Sequence, residues 1–335
     1  MNSSPTPLTK PSDTAESASS AVHLRIGILG AGQMGAVAAV LFRRAGHEVR
    51  LWARNEEKLR QCQGVLDATE TFLDSHQSSP SSPGGTLHLE PDFAVVDQTS
   101  DAILECVVED MVKKSALLSQ LASCRERQAL VMTCTSALCI TELAKLSGLE
   151  KVLVGAHFWN PPHLIPVVEV IAGKESPESH VSRACELLKQ AGKIPVRCAD
   201  VPGFIGNRLQ HAMWREALAL VDAGVCSAED IDKVVKWTFA LRLPALGPFE
   251  NMDLVGLRLV ESIERYLLPD LAANGEPAKA LTERLAEGAT GMEAGRGFYD
   301  WSQRDAAEVV ALRDRQIARQ LQFLREEGVL DPPTP

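Results

Sequence analysis

Two hydrophobic periodicities divide the chain. From Leu24 to about residue 200, short apolar runs alternate with segments whose apolar positions recur every three or four residues; beyond that only the second pattern continues. The first run, Leu24-Arg-Ile-Gly-Ile-Leu29, leads into a helical pattern that lasts to Ala45, and Gly46-His47 turns the chain into a second run from Glu48 to Trp52. Further strands are expected at 103–108, 129–132, 152–156, 167–171 and 194–198, with an amphipathic helix at about 177–191. A long helical pattern then starts at Val201-Pro-Gly-Phe-Ile-Gly-Asn207-Arg and runs to about Ala223, with others at 228–240, 251–268, 277–287 and 304–326. Strands interleaved with helices, then helices alone, predict an α/β fold: a Rossmann-type dinucleotide-binding sheet over 22–200, then an all-α domain over 201–335. Residues 1–21, rich in Ser, Thr, Pro and Ala without periodicity, read as a disordered tail.

Composition narrows the class. Of 335 residues 45% are apolar and 23% charged, and the formal charge of −10 argues against a general nucleic-acid or anionic-membrane surface. No apolar run reaches the length of a membrane span, and the amino terminus lacks the basic start and apolar core of a secretory signal. Eight cysteines lie scattered, most in apolar runs and none in CxxC spacing, which fits buried reduced thiols in a cytoplasmic protein and no metal site.

Candidate chemistry begins at Gly30-Ala-Gly32-Gln33-Met34-Gly35. Strand, GxGxxG, helix and strand follow within about 30 residues, the setting that turns a weak glycine motif into a strong one. Gly30 suits a tight turn, Gly32 close approach of the backbone to a pyrophosphate, and Gly35 the packing of helix on strand. The second strand ends in Ala53-Arg54, where an NAD site carries an acid for the ribose 2′-hydroxyl. An arginine there suits a 2′-phosphate, so NADP(H) is favoured over NAD(H); Glu56 leaves the latter as the alternative.

A second constellation spans Gly155 to Ala172. Two apolar runs flank a turn stiffened by Pro161, Pro162 and Pro166; His157 stands at the end of the first and Glu169 interrupts the second. A carboxylate on one ring nitrogen fixes the tautomer and raises the basicity of the other, the build of a general base. Taken alone, the pair fits a core histidine equally well. Strand ends carrying Glu109, Lys114 and Ser136 are where an open parallel sheet binds its ligand.

With these motifs placed, the chain resembles the 3-hydroxyacyl-CoA dehydrogenase family over nearly all of residues 24–303. The likeness rests on Gly30-x-Gly-x-Met-Gly35, Glu109-x-x-x-x-Lys114, Thr-Ser136, His157-Phe-x-Asn160-Pro, Glu169-Val-Ile and Pro202-Gly-Phe-Ile-x-Asn207-Arg. Gly247-Pro-Phe-Glu-x-x-Asp253 and Gly295-Arg-Gly-Phe-Tyr complete it. The resemblance implies His157 as base and Glu169 as its orienting partner, with Ser136 and Asn207 near the reacting oxygen. It also implies Glu109, Lys114 and Asn160 near the nicotinamide, and a homodimer formed through the helical domain. Leu-Trp-Ala-Arg54 is similar to the strand end of NADPH-using glycerol-3-phosphate dehydrogenases.

Charge then bears on the substrate. Coenzyme A carries phosphates that call for Lys or Arg, yet residues 61–112 contain neither and hold a Ser/Pro/Gly run at 78–85. The His157 stretch is similar to that of pyridine-carboxylate dehydrogenases. Arg242, five residues before Gly247-Pro248, resembles an arginine of the L-gulonate 3-dehydrogenase (lambda-crystallin) branch and suits a substrate carboxylate. The expectation is hydride transfer between NAD(P) and a small carboxylate-bearing 3-hydroxy acid or related alcohol or aldehyde. A 3-hydroxyacyl-CoA substrate is the alternative, and a non-catalytic crystallin-like protein the competing class. His163 is expected on a loop lining the cleft.

Overall fold

The computed structural model describes residues 23–76 and 84–330; the tail read at 1–21 and most of the run at 78–85 lie outside them. The sheet half contains β1 (Arg25–Leu29), α1 (Gln33–Arg44), β2 (Glu48–Trp52), α2 (Glu56–Gln61), α3 (Gln63–His76), β3 (Leu87–Glu90), α4 (Phe93–Thr99) and β4 (Ala102–Glu105). It continues through α5 (Met111–Leu118), α6 (Ala122–Glu126), β5 (Leu130–Thr133), α7 (Ile140–Ser147), β6 (Leu153–Phe158), β7 (Val167–Ala172), α8 (Glu178–Gln190) and β8 (Ile194–Ala199). Helices α9 (Gly206–Asp222), α10 (Ala228–Trp237), α11 (Pro248–Val255), α12 (Leu257–Leu267), α13 (Lys279–Ala286) and α14 (Ala306–Glu326) follow.

The eight strands run in the order β3-β2-β1-β4-β5-β6-β7-β8. All neighbours are parallel except β6 and β7. Helices cover both faces, so β4, β5 and β6 bury every residue and read as unbroken apolar runs, while β8 is largely exposed at one edge. After β1 the chain winds outward through β2 and β3, then returns to β4 on the other side of β1. That reversal opens a crevice at the carboxyl ends of β1 and β4, where an open α/β sheet takes its ligand.

The structure adds elements to one span and corrects two expected ones. The lysine- and arginine-free span holds α3, β3, α4 and β4, and its helix α3 is tied down by Arg43 and Arg44, which bond to Glu70 and Asp74. The strand expected at 103–108 leaves the sheet after Glu105, whose carboxylate turns back to accept from the Val107 N–H at 2.6 Å. The helix expected at 251–268 is cut into α11 and α12 by Gly256, whose φ of +96° only glycine adopts without strain.

Candidate active site

Local geometry explains two of the three loop glycines. Gly30 has φ +116°, and a Cβ there would stand 2.8 Å from the Cys106 carbonyl oxygen. A Cβ on Gly35 would fall 1.9 Å from the Gly30 carbonyl oxygen, so α1 packs this closely only on glycine. Gly32 opens α1, and a Cβ there would meet no protein atom within 4 Å. Free amides at this helix start, with the dipole behind them and no side chain in front, fit a pyrophosphate. Ala53 is buried at the end of β2, and Arg54 beside it is exposed with no acidic partner within salt-bridge distance among the described residues.

His157 and Glu169 face each other across the antiparallel β6–β7 pair, in direct register, with Nδ1 to Oε2 at 2.7 Å. Both are about 3% exposed, so the contact is shielded from competing water. The other carboxylate oxygen of Glu169 accepts from the Ile205 and Gly206 N–H groups at 2.8 and 3.0 Å, which docks the amino terminus of α9 onto the sheet. Burial of Glu169 works against its charge, yet the hydrogen bonds from His157, Gly206 and Ile205 outweigh it and hold the carboxyl below its ordinary range. The His157 ring packs against Trp159 and Phe204, with centroids 5.1 and 5.7 Å away. Phe204 is fully buried in a left-handed conformation, φ +51°, and Gly206 admits the Trp159 ring where a Cβ would stand 2.2 Å from it.

His157 opens onto a cleft of about 350 Å³ lined by Gln33 and Met34 of the glycine loop, Cys134, Ser136, Phe158, Trp159, Asn160 and Asn207. Asn207 donates through Nδ2 to the Ser136 carbonyl oxygen at 2.8 Å, a second tie between α9 and the sheet. Glu109 holds the turn after β5: one oxygen accepts from the Thr135 hydroxyl and from the Ser136 and Ala137 N–H groups, at 2.5, 2.9 and 3.1 Å. The fold thus brings Gly30, Gly32, Gln33, Met34, Gly35, Ser136, His157, Asn160, Glu169 and Asn207 to one crevice.

Three expected residues are placed elsewhere. Lys114 is 1% exposed and donates to both oxygens of Glu105, at 2.9 and 3.0 Å, with a Glu109 oxygen 3.7 Å from its ammonium, so it stands buried beside Glu109 rather than on the cleft wall. A buried ammonium needs such a partner, and Glu105, hidden in an apolar run, supplies it. Arg242 is exposed after a short 3-10 turn (Phe239–Leu241) and lines neither this cleft nor the cavity beside it. His163 packs edge-on against Phe72 of α3, centroids 4.8 Å apart, away from the cleft wall.

The cavity beside the cleft, about 490 Å³, shares Asn207 and is lined by Ala137, Pro202, Gly203, Arg208, His211, Ala212 and Arg215. Its arginines went unremarked in the sequence, although positions 207, 208, 211 and 215 fall on one face of a helix that starts at 206. No carboxylate lines this cavity, so its field is positive.

Comparison with known proteins agrees with this layout. Residues 25–201 match the family model of the 3-hydroxyacyl-CoA dehydrogenase NAD-binding domain, and residues 203–301 that of the 3-hydroxyacyl-CoA dehydrogenase C-terminal domain. A 5-formyl-3-hydroxy-2-methylpyridine 4-carboxylate 5-dehydrogenase of Mesorhizobium japonicum is 30% identical over 87% of this chain and 95% of its own. A probable 3-hydroxybutyryl-CoA dehydrogenase of Deinococcus radiodurans is also 30% identical, over 83% of this chain and 100% of its own. Among solved structures, a 5-formyl-3-hydroxy-2-methylpyridine 4-carboxylic acid 5-dehydrogenase described as an NAD+-dependent dismutase superimposes with a TM-score of 0.86. It is 29% identical and covers 91% of this chain and 99% of its own.

Proposed function

The chain belongs to the 3-hydroxyacyl-CoA dehydrogenase family of NAD-dependent oxidoreductases, and from this premise we propose that it moves hydride to or from a small carboxylate-bearing 3-hydroxy acid, or a related alcohol or aldehyde. When bound, the nicotinamide accepts or returns the hydride. The observation that carries the reading is the buried His157–Glu169 pair opening onto the cleft beside the glycine loop. With Nδ1 held by Glu169, Nε2 is the ring nitrogen left to take the hydroxyl proton in oxidation and return it in reduction. Glu169 stabilises the imidazolium that forms, and the Ser136 hydroxyl with the remaining Asn207 N–H donates to the developing alkoxide. Water is kept from the pair by Trp159 and Phe204.

For the substrate, Arg208 and Arg215 take the role first given to Arg242. They line the cavity that meets the cleft at Asn207, and a guanidinium fork grips a carboxylate with two parallel hydrogen bonds. Past β2, α3 presents Asp67, Glu70 and Asp74 with Arg43 and Arg44 beside them already paired, which leaves the exposed Lys58 and Arg54 as the basic groups a coenzyme A phosphate could meet. Arg54, exposed at the end of β2, favours NADP(H) through its 2′-phosphate. The reduced thiols suit the cytoplasm, and the apolar faces left open on α10 to α12 suit a homodimer.

Turnover of free 3-hydroxy acids against 3-hydroxybutyryl-CoA, with NADPH and NADH, tests this reading. Free acids should turn over and the thioester should not, and His157→Gln should lower kcat about 10³-fold with cofactor affinity unchanged. Robust thioester turnover would overturn the substrate class; a His157→Gln enzyme as fast as wild type would overturn the base.

A further inference from the structure

β4 and β5 lie side by side in parallel, with Glu105 in register with Thr133, and each leaves the sheet through a cysteine. Cys106 and Cys134 are therefore neighbours across the strand ends, tied by the Cys134 N–H donating to the Glu105 carbonyl oxygen at 2.8 Å. Neighbouring strands stand roughly 4.8 Å apart, inside the roughly 4.4–6.8 Å between Cα atoms that a disulfide spans. Both residues are half-buried, and both thiols are free.

Their place matters more than their proximity. Cys134 lines the cleft beside Ser136 and His157. The Cys106 main chain is the surface on which the Gly30 turn rests, and its N–H donates to the Leu29 carbonyl oxygen at 2.8 Å. The pair thus lies at the β1–β4 crevice, under the loop read as the pyrophosphate seat.

Chemistry sorts the two roles. The neighbouring Cys106 thiol, with help from the Lys114 charge, lowers the Cys134 thiol against the effect of burial. The Cys134 thiol beside it, with burial, pushes the Cys106 thiol up. Cys134 is the better nucleophile and the one facing the cleft; Cys106 is the resolving partner.

We propose that Cys106 and Cys134 form a reversible disulfide on exposure to a peroxide, and that the bridge weakens cofactor binding in the adjoining cleft. The Cys134 thiolate, its proton given to solvent, attacks one peroxide oxygen; the O–O bond breaks and the departing hydroxide takes a proton to become water. Cys106 sulfur then attacks the Cys134 sulfenic sulfur, the S–O bond breaks, and the leaving hydroxide takes the Cys106 proton as a second water. Two thiols lose two electrons and two protons, and one peroxide becomes two waters. The bridge turns the Cys134 sulfur from the cleft wall toward Cys106 and locks the two strand ends together beneath the Gly30 turn.

The proposal rests on the cleft holding the nicotinamide cofactor and is independent of the substrate. Full-length protein is treated with hydrogen peroxide, alkylated and mapped by mass spectrometry, while NADH and NADPH are titrated by fluorescence before oxidation, after it, and after dithiothreitol. Expected are a mass lower by two hydrogens, a cross-linked Cys106–Cys134 peptide, and cofactor affinity weakened at least tenfold and restored by the reductant. Cys106→Ser should give no cross-link, and its Cys134 should proceed to an acid that dithiothreitol does not reverse. Equal alkylation of both cysteines before and after peroxide would overturn the bridge, and this map on the wild-type chain decides even where the variant does not fold. A bridge that leaves cofactor affinity within twofold would overturn the switch. Neither outcome bears on His157, whose variant fails or passes separately.

Discussion

The two halves of this chain solve the problem of burial differently. In the sheet half, β4, β5 and β6 bury every residue, and two apolar clusters fill the space between sheet and helices. In the helical half, α9, α10, α11, α12 and α14 contain no buried residue, and Trp237, Phe249, Leu254 and Tyr266 are 69, 79, 72 and 84% exposed. These helices touch one another, yet many of their apolar residues stay exposed among the described residues. One half is finished by its own sequence; the other leaves apolar faces open. The site lies where they meet, its base on the finished half and its Asn207 and Glu169-bound amides on the open one.

The sharpest break of this contrast is to charge the open faces. If a second copy covers them, Trp237→Glu combined with Phe249→Glu should weaken the dimer by 10³-fold or more, about 4 kcal/mol, in sedimentation equilibrium. The sheet half should hold its cofactor within about threefold. A dimer of unchanged affinity would show that another partner, or none, covers these helices.

Cutting the seam comes next. Glu169→Gln keeps an oxygen for the Ile205 and Gly206 amides but withdraws the charge from His157, so kcat should fall about 10²-fold while the assembly persists. A kcat within threefold of wild type would reduce Glu169 to a mere anchor for α9. Smaller still is a change confined to the finished half. Arg54→Ala should weaken NADPH about tenfold and NADH less than twofold, read by fluorescence titration. Equal losses would place Arg54 on the adenine instead of the phosphate.

How far the sequence foretold this site follows the same division. Gly30, Gly35, His157 and Glu169 were legible because each answers a local demand: a turn, a close packing, a facing position on paired strands. The ion pair that buries Lys114 was not legible, because its partner, Glu105, hides inside an apolar run and meets it only when β4 and α5 are folded together. Inside the span without lysine or arginine, β3 escaped because it lies at the sheet edge with no fully buried residue, and α4 because it is only seven residues long. Arg208 and Arg215 were missed for a subtler reason. Charged residues on an amphipathic helix usually face water, and only the docking of α9 against Ala137 and Pro202 turns this face into a cavity wall.

The smallest effect tests the seam by pH. Glu169 ionises more readily in the folded protein than its ordinary value of 4.5. The depressed value means that its stabilising ties to His157, Ile205 and Gly206 are fully present above that ordinary value and are lost as pH falls through the lower, folded one. Below about pH 5 the difference in stability between wild type and Glu169→Gln should therefore shrink, by about 1 kcal/mol in all. Taking the difference removes the other depressed carboxylates, Asp101 and Asp200 among them, which titrate in both proteins. Thermal unfolding across the acid range reads it. A gap that stayed constant below about pH 5 would mean that Glu169 is not held ionised in the fold, and a neutral carboxyl can steady neither an imidazolium nor the helix start that completes the site.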